Sequence, residues 1–475
     1  MDAVSATGAG QAGVDDAGVD VAEEDGADDY DVLGVGFGPS NLALAIAIEE
    51  HAERCAPGGR IRARFVEQQA AFGWHTGMLL PGATMQVSYL KDLVTMRDPT
   101  SPSSFLSYLH ANGRIADFIN TGTSTPTRLE FHDYFAWAAR RVEHLVDYGT
   151  RAVAVLPVRG GDGDGPVRAL DVVLRDASGS DGATRTVRTR TLVVATGLQP
   201  VLPEGVERGG RVWHTSELLP RLAEADAGAD GSGPRRFAVI GAGQSAAEAA
   251  GHLHARPGAE VHAVFSRYGY SPADDSAFAN RIFDPEAVDD FHRAPPGVRE
   301  MLLGYHANTN YSAVDGELIT ELFRRLYAEK VAGDQRLHVH RASRPTKLHV
   351  PDDGPRPDWA HAGVELDVEF LPTGEATTLD VDAVVYATGY RPVDPTGLLG
   401  EVGAWCRRGT DGELLVERDY RLATADPLDV PIFLQGPTEH THGISSTLLS
   451  NVAVRAGEIR DAVLSARGTW ARGRP

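Results

Sequence analysis

Short apolar runs lead into glycine-rich turns at two places along the chain, and each turn is followed by a helical segment and another apolar run. The order strand, glycine turn, helix and strand predicts a βαβ unit that binds a dinucleotide. The first unit is predicted from a strand at 31–35, a turn at 36–41, a helix at 42–51 and a strand at 61–66. The second is predicted from a strand at 237–240, a turn at 241–246, a helix at 247–256 and a strand at 260–265.

Further apolar runs predict buried strands beyond these two units. Two of these runs, at 192–194 and 381–386, lead into Ala-Thr-Gly turns at 195–197 and 387–389, which we interpret as crossings between two domains. Residues 276–330 are richer in aromatic residues and asparagine, without βαβ order, and predict a mostly helical unit. The end of the chain predicts a strand at 432–434 and a helix at 446–464.

The composition of the chain disfavours nucleic acid, a membrane and a metal ion as binding partners. The net charge of the 475-residue chain is -21, which disfavours binding to nucleic acid because phosphates repel an acidic surface. No run approaches the roughly 18–20 apolar residues that span a bilayer, so we expect no membrane insertion. Cys55 and Cys406 are the two cysteines, which excludes a disulfide framework and predicts two reduced thiols in a cytoplasmic protein. A CxxC metal motif is absent, and we expect no metal.

The glycine turns carry the first candidate chemistry. Side chains at Gly36 or Gly38 would keep a diphosphate from the backbone, and the helix that follows supplies N–H donors and a positive dipole. Glu67 ends the next strand, where a carboxylate binds ribose hydroxyls. In the second unit Arg267 follows the corresponding strand, and a cation there suits the 2′-phosphate of NADPH. Two nucleotide units in one chain imply electron transfer between cofactors.

Several longer segments together resemble the microbial N-hydroxylating flavin monooxygenases, specifically the L-ornithine N5-monooxygenases of siderophore and related biosynthesis. The resemblance extends from residue 30 to about 460. It is carried by the segments VGFGPSN (35–41), GWHTGM (73–78), MQVSYLKDL (85–93), DDSAFAN (274–280), NTNYS (308–312), DAVVYATGY (382–390) and HGISSTLLS (442–450). Departures are Ala277 and Ser446, where the family often has Pro and Asp, and Ser266, where the family can place its 2′-phosphate arginine.

The resemblance implies an α/β fold with two Rossmann-like dinucleotide-binding domains and a smaller, mostly helical substrate domain. The expected boundaries are a disordered acidic tail at 1–29, an FAD-binding domain at 30–215 and 385–475, an NADPH-binding domain at 216–275 and 331–384, and a substrate-binding domain at 276–330.

The resemblance also implies roles for individual residues. Those expected to bind FAD are Gly36, Gly38, Asn41, Glu67, Trp74, His75, Gln86, Val153, Thr447, Leu448 and Leu449. Those expected to bind NADPH are Gly241, Gly243, Gln244, Ser245, Arg267, Tyr311 and Ser312. Those expected to bind the substrate are Lys91, at the α-carboxylate, with Asn280, Asn310 and Ser450. Asn310 is expected between the nicotinamide and the reactive amine, and is the catalytic candidate.

The implied reaction is N-hydroxylation of L-ornithine. NADPH reduces FAD, O2 adds to give a C4a-hydroperoxide, and the side-chain amine takes up one oxygen to give N5-hydroxy-L-ornithine. Bound NADP+ is expected to protect the oxygenated flavin, and the resemblance implies a homotetramer. Ornithine and lysine differ by one methylene, which is worth roughly 1–3 kcal/mol of discrimination. A lysine or diamine N-monooxygenase is therefore the first alternative. A Baeyer–Villiger or sulfide monooxygenase and a non-catalytic flavin-binding or redox-sensing protein are the others.

Overall fold

Two five-stranded parallel sheets organise the chain. The computed structural model describes residues 29–159, 165–179, 183–227, 233–309, 311–352, 359 and 363–470. Within these residues the strands β1 to β21 are, in chain order, Asp29–Tyr30, Val32–Val35, Ala63–Val66, Val146–Asp147, Thr150–Val158, Ala169–Asp176, Thr184–Thr189, Leu192–Val194, Leu198–Pro200, Val212–His214, Arg236–Ile240, Glu260–Val264, Ser271–Pro272, Ala313–Val314, Leu337–His340, Ser343–His349, Val364–Phe370, Glu375–Val381, Ala383–Tyr386, Tyr390–Pro392 and Ile432–Leu434.

The helices within the described residues frame these sheets. Helices α1 to α12 are, in chain order, Pro39–Arg54, Phe105–Ala111, Ile115–Thr121, Arg128–Arg141, Leu218–Asp226, Gln244–His254, Pro285–Arg293, Pro296–His306, Gly316–Ala332, Thr396–Leu399, Glu439–His442 and Val452–Trp470. In this part of the chain no helix has the length and apolar character needed to cross a membrane.

The first parallel sheet has the strand order β21-β8-β2-β3-β4. Its central strand β2 is fully buried, because apolar side chains line both faces of the sheet. Residues of α1, α2, α4 and α12 form the core on one face. On the other face the core joins this sheet to β5, β6 and β7 of a four-stranded sheet. This is the predicted dinucleotide-binding arrangement, in which the first βαβ unit occupies the centre.

The second parallel sheet repeats the plan with the strand order β10-β19-β11-β12-β15. Residues of α5, α6 and α9 form the core on one face. The antiparallel sheet β16-β17-β18 covers the other face. The predicted fold class, two Rossmann-like domains, is confirmed.

Two chain crossings connect the sheets, as the Ala-Thr-Gly turns predict. Strands β9 and β20 follow these turns and pair antiparallel, with Leu198 opposite Pro392 and Pro200 opposite Tyr390. The backbone N–H of Val201 also donates to the carbonyl of Gly389 at 3.0 Å. The two crossings therefore form one two-stranded connection.

A segment of the first domain is buried in the core of the second. Met78 and Leu80 lie in the core cluster of α5 and α6, and the preceding Gly77 packs tightly on the backbone of Ser216. A Cβ added at Gly77 would lie 1.9 Å from the carbonyl oxygen of Ser216, so the contact requires glycine. The interface between the domains is therefore apolar and continuous with the core of the second domain.

The structure shifts several sequence-derived boundaries. Strand β10 belongs to the second sheet although it ends before the predicted boundary at 216, and β19 ends two residues beyond the one at 384. Helix α9 packs on α6, and its Leu322 lies in the core of the second domain. Most of α9 was predicted to belong to the helical unit at 276–330, so this part of the unit joins the second domain. The last helix begins at Val452 after two short 3-10 turns, later than the predicted 446. Residues 1–28 of the predicted tail lie outside the described residues, and Asp29 begins β1.

Candidate functional site

The first glycine turn forms an open cradle at the start of α1. Gly36 has a φ of +84°, and a Cβ added there would lie 2.3 Å from the carbonyl oxygen of Ala195. Gly38 is the N-cap of α1, and a Cβ added there would point into open space. No side chain caps this helix, and its first turn contains no acidic residue. The free N–H groups of α1 therefore face a space that suits a phosphate.

The side chain of Asn41 turns back into the protein. Its Nδ2 donates to the carbonyl of Gly36 at 2.7 Å, and its Oδ1 accepts from Gln435 at 2.8 Å. Asn41 is fully buried. The structure thus gives this predicted FAD contact a positioning role, because its amide fixes the glycine turn against the end of β21.

A buried arginine that the sequence analysis did not single out lies beside the first glycine turn. Arg455 of α12 donates to the carbonyl of Ser446 at 2.5 Å, to Oγ of Ser40 at 3.0 Å and to Oε1 of Gln435 at 3.4 Å. It is 2% exposed, and no carboxylate of the described residues lies within ion-pair distance of it. Its charge adds to the α1 dipole, so this end of the cradle fits an anionic group.

Glu67 occupies the predicted position immediately after β3. One carboxylate oxygen accepts from the backbone N–H of Phe37 at 2.7 Å, and the other from that of Gln69 at 2.9 Å. Each oxygen keeps a further lone pair. The carboxylate therefore holds the glycine turn in place and can still accept a hydrogen bond from a hydroxyl group.

Trp74 and His75 lie in the long segment after β3. The Trp74 ring packs edge-on against Phe135 at 5.1 Å and against His75 at 4.7 Å between centroids. His75 adopts a left-handed backbone conformation with a φ of +52°. Desolvation and the charge of Arg128 lower the pKa of His75, although the residue is exposed to solvent.

The remaining predicted FAD residues lie on three different segments. Val153 is the extra residue of a β-bulge between Ala152 and Ala154, which takes its backbone out of the pairing of β5 with β6. Gln86 is exposed, in the segment before α2. Residues 447–449 are half-buried between two buried stretches, so part of their surface stays accessible.

The second glycine turn has the same construction at the start of α6. Gly241 has a φ of +138°, and a Cβ there would lie 2.5 Å from the carbonyl oxygen of Ala387. Gly243 is the N-cap of α6 and packs close to Ser312. The exposed Arg267 donates to the carbonyl of Ser312 at 3.1 Å. The structure thus brings three of the predicted NADPH residues, Gly243, Arg267 and Ser312, into one neighbourhood.

Gln244 has both ends of its amide engaged within the protein. Its Oε1 accepts from the backbone N–H of Asp315 at 2.8 Å, and its Nε2 donates to Glu248 at 2.9 Å. It therefore anchors the loop that carries Ser312 to α6. Ser245 is half-buried in the first turn of α6, and the exposed Tyr311 donates its hydroxyl to Glu439.

Lys91 is half-buried and points toward the segment that contains Asn280. Its Nζ lies 5.8 Å from the centroid of the Phe283 ring, and Phe283 ends the 3-10 turn 279–283. Burial lowers the pKa of Lys91, with an opposing effect from Asp284. The adjacent Asp92 accepts the backbone N–H groups of Val94, Thr95 and Phe105, at 3.0, 2.6 and 2.8 Å. These bonds fix the backbone that carries Lys91.

The other predicted substrate residues surround the same 3-10 turn. Asn280 is half-buried, and its Nδ2 donates to the carbonyl of Asp275 at 2.9 Å, leaving its Oδ1 with a free acceptor site. Ser450 is buried, and Asn451 beside it reaches the carbonyls of Ser450 and Phe283 at 3.3 Å in the amide orientation that satisfies its hydrogen bonds. The predicted catalytic residue, Asn310, lies outside the described residues.

Three polar residues that organise the glycine turns lie outside the motifs from which the site was predicted. These are Glu248, Gln435 and Arg455. Arg455 is flanked by the apolar residues 452–454 and 456 at the start of the last helix, and a charge in such a stretch was the available signal. Gln435 follows a buried strand, in a position typical of site residues in α/β sheets. Glu248 has no local signal, because its partner is 120 residues away.

Comparison with known proteins adds independent findings. Residues 28–392 match the family model described as L-lysine 6-monooxygenase/L-ornithine 5-monooxygenase. An L-ornithine N(5)-monooxygenase from Burkholderia cepacia is 40% identical over 423 residues, which cover 87% of this chain and 90% of that protein. The structure of an ornithine N-hydroxylase from Kutzneria sp. 744 superposes with a TM-score of 0.84 at 43% identity, covering 92% of this chain and all of that one. Ornithine hydroxylase from Pseudomonas aeruginosa superposes with a TM-score of 0.82 at 36% identity, with the same coverage.

Proposed function

Since the chain belongs to the L-lysine 6-monooxygenase/L-ornithine 5-monooxygenase family, we propose that it hydroxylates the side-chain amine of L-ornithine with NADPH and O2 as co-substrates and FAD as cofactor. The product is N5-hydroxy-L-ornithine, a precursor of hydroxamate or N–N-bonded natural products. The choice of an amino acid as the substrate rests on one observation. Lys91 approaches Phe283, which lies in the same 3-10 turn as Asn280.

FAD is assigned to the cradle at Gly36 and Gly38. The Kutzneria structure contains reduced FAD, NADP+ and L-ornithine, and the present chain has a cradle of matching chemistry. An uncapped helix, an open glycine turn and the buried charge of Arg455 suit a diphosphate. Glu67 is proposed to hold the adenosine ribose. The flavin supplies the oxygen chemistry, and the protein binds, orients and shields it.

NADPH is assigned to the second glycine turn. Gly241 and Gly243 leave the N-terminus of α6 open, and α6 has no acidic residue in its first turn. Arg267 is proposed to pair with the 2′-phosphate, because it is exposed and already held beside Ser312 by its bond to that carbonyl. Tyr311 and Ser245 are proposed to complete this site. The domain division at 215/216 and 384/385 is retained as a proposal, moved to include β10 and all of β19 in the NADPH-binding domain.

Lys91 is the proposed partner of the substrate α-carboxylate. Its half-burial beside an aromatic ring strengthens a charge-assisted hydrogen bond relative to one in open water. Asn280 is proposed to bind the same head group through its free amide oxygen, and Ser450 to line the substrate side. Residue types of this kind favour an amino acid over a neutral ketone or sulfide, which needs no carboxylate partner.

The reacting amine has to be neutral. An alkylammonium has a pKa near ~10.4, so deprotonation at pH 7 costs roughly 4–5 kcal/mol. Burial lowers that cost, and a neutral asparagine beside the amine, in contrast to a carboxylate, does not raise it. Asn310 is proposed for this position.

A substrate panel tests the proposal. Purified enzyme is supplied with NADPH and with L-ornithine, L-lysine, putrescine or cadaverine, while NADPH oxidation and hydroxylamine formation are measured together. We expect coupled hydroxylamine formation that saturates with L-ornithine at the lowest KM. Saturation by putrescine without saturation by L-ornithine would overturn the choice of substrate. Bound FAD without amine-dependent hydroxylation would favour a flavin-binding or redox-sensing protein.

The predicted homotetramer also remains a proposal. Three exposed apolar side chains, Phe323, Tyr327 and Val331, follow one another at helical spacing on α9 and are 62–72% exposed. An apolar stripe of this kind supports burial against another copy of the chain. Multi-angle light scattering on the purified protein distinguishes a tetramer from a monomer. Placement in the cytoplasm is likewise proposed, in keeping with the free thiols of Cys55 and Cys406.

A further inference from the structure

Four polar side chains share one face of strands β12 and β15 in the second domain. They are Glu260, His262, His338 and His340. His262 lies directly opposite His338 in the parallel register, and side chains alternate along each strand. Val261 and Leu337 point to the opposite face, into the core beneath α6. We call Glu260, His262 and His338, with His340 beside them, the β12/β15 cluster.

The distances within the β12/β15 cluster match a metal ligand set. Oε1 of Glu260 lies 3.3 Å from Nε2 of His262 and 3.0 Å from Nε2 of His338. The three atoms lie within 4.8 Å of one another, and the two imidazole rings are stacked at 4.7 Å. Ligand atoms bound tetrahedrally to Zn²⁺ at about 2.0–2.1 Å are separated by roughly 3.3 Å. The two carboxylate-to-imidazole distances therefore match edges of a zinc tetrahedron, and the remaining ligand pair lies within 4.8 Å.

Nε2 of His262 and Nε2 of His338 both lie beside the Glu260 carboxylate, and because the two rings are stacked, one of them has to rotate about its Cβ–Cγ bond for both nitrogens to reach one ion. Nδ1 of His262 lies 3.0 Å from Nε2 of His340, and when Nδ1 carries the hydrogen, Nε2 of His262 keeps its lone pair facing Glu260. A hydrogen-bond acceptor on the second ring nitrogen usually accompanies a metal-binding histidine, and His340 supplies one here. Nε2 of His338 is buried 3.0 Å from Oε1 of Glu260 without hydrogen-bond geometry between them. A cation between these atoms and the carboxylate would satisfy all three.

One side of the cluster is accessible to solvent. The side chains of Glu260 and His338 are 40% and 30% exposed, so an ion has a path from solvent.

We propose that Glu260, His262 and His338 bind a divalent transition-metal ion, with Zn²⁺ as the best fit and water at the fourth position. Two neutral imidazoles and one carboxylate are typical zinc ligands. The ion joins β12 to the edge strand β15. Glu260 begins β12, whereas Arg267 follows its carboxyl end, so the metal lies away from the proposed NADPH site and stabilises the domain.

Calorimetric titration with ZnCl2 tests the proposal on the FAD-loaded enzyme, treated with a chelator and freed of any affinity tag. We expect saturable binding of one ion per chain and a melting temperature that rises with free Zn²⁺. Co²⁺ in place of Zn²⁺ should give the visible spectrum of a tetrahedral complex.

Substitutions distinguish the cluster from adventitious histidines. H338A and E260Q should each weaken Zn²⁺ binding at least tenfold and remove the Zn²⁺-dependent rise in melting temperature. H349A is the matched control, because His349 is exposed on β16 and lies outside the cluster; it should bind as the unsubstituted enzyme does. NADPH oxidation should be unchanged in all three variants. Lack of saturable binding, or equal binding in H338A, E260Q and the unsubstituted enzyme, would overturn the proposal.

Discussion

Arg128 and Glu248 form a bidentate ion pair that joins the two domains, with both N–O distances at 2.8 Å. Arg128 begins α4 of the first domain, and Glu248 lies on α6, one turn after the second glycine loop. Their side chains are 13% and 5% exposed. Arg128 also donates to the carbonyl of the buried Met78, and Gln244 donates to Glu248, so the pair links Met78 to the second glycine turn.

Removal of one member of this pair should destabilise the enzyme strongly. E248A leaves a buried guanidinium without its partner, and we expect a loss of about 3–5 kcal/mol of unfolding free energy. R128M/E248L removes both charges and should cost less than E248A alone. Urea unfolding followed by circular dichroism measures the difference. R344A, which breaks the exposed pair of Arg344 with Glu369, is the control and should cost less than about 1 kcal/mol.

Arg267 should determine the preference for NADPH over NADH. R267Q removes a charge-assisted contact with the 2′-phosphate, worth about 1.5–3 kcal/mol, so the KM for NADPH should rise by roughly ten- to a hundredfold. The KM for NADH should stay unchanged. R341Q is the matched control, because the exposed Arg341 lies nearby, against Tyr268. An effect of R341Q without an effect of R267Q would move the phosphate contact to Arg341.

Lys91 should affect the binding of ornithine while leaving flavin reduction intact. K91M keeps most of the side-chain volume but loses the charge, so the KM for L-ornithine should rise at least about thirtyfold, corresponding to roughly 2 kcal/mol. NADPH oxidation without amine should be preserved. Putrescine, which lacks a carboxylate, provides the control, since K91M should leave its kinetics unchanged. An unchanged KM for L-ornithine would contradict the carboxylate assignment.

His214 should make folding stability sensitive to acid. Its Nδ1 accepts from the backbone N–H of Ser216 at 3.1 Å, and its Nε2 lies 3.1 Å from the carbonyl of Gly389, so it is neutral in the fold. Burial lowers the pKa of His214 to about 4, with an opposing effect of the Gly389 carbonyl. In the unfolded chain its pKa is about 6.5. Between these two pH values the unfolded chain binds more protons, so stability falls as the pH falls from about 6.5 to 4.

The pH dependence of thermal unfolding checks this prediction. His214 should contribute up to about 3 kcal/mol of the stability lost over that range, because one pKa unit corresponds to about 1.4 kcal/mol. H214Q should be less stable at pH 7.5 and should lose less stability on acidification. H349Q, at an exposed position, should reproduce the slope of the unsubstituted enzyme. An identical slope for H214Q would refute the assignment.

The glycine turns were predictable because their determinants are local. Gly36 and Gly241 each lie between an apolar strand and a helix, and a short stretch of sequence contains the whole pattern. The positive φ at both positions follows from the sharp turn that this pattern requires. The two crossings were predictable for the same reason.

The interface between the domains was not predictable from local pattern. Met78 and Leu80 are apolar residues in a segment without periodicity, so nothing in their neighbourhood shows which core they enter. The orientation of a polar side chain likewise depends on residues that are distant in the sequence. Asn41 and Gln244 both occupy glycine-turn positions that suit nucleotide contact, yet their amides bind protein groups from distant parts of the chain. Tertiary contacts determine where these side chains point, whereas a motif specifies only which residues lie in the turn.

The first parallel sheet is completed by the end of the chain. Strand β21 forms its edge, and Arg455 of α12 reaches back to Ser40 and Gln435 at the first glycine turn. The neighbours of β2 and β3 are synthesised early, whereas β8 lacks its outer neighbour until β21 has been made. A nascent chain that stops before β21 therefore lacks Gln435 and Arg455, so the glycine turn that we assign to FAD is without the side chains that contact Asn41 and Ser40.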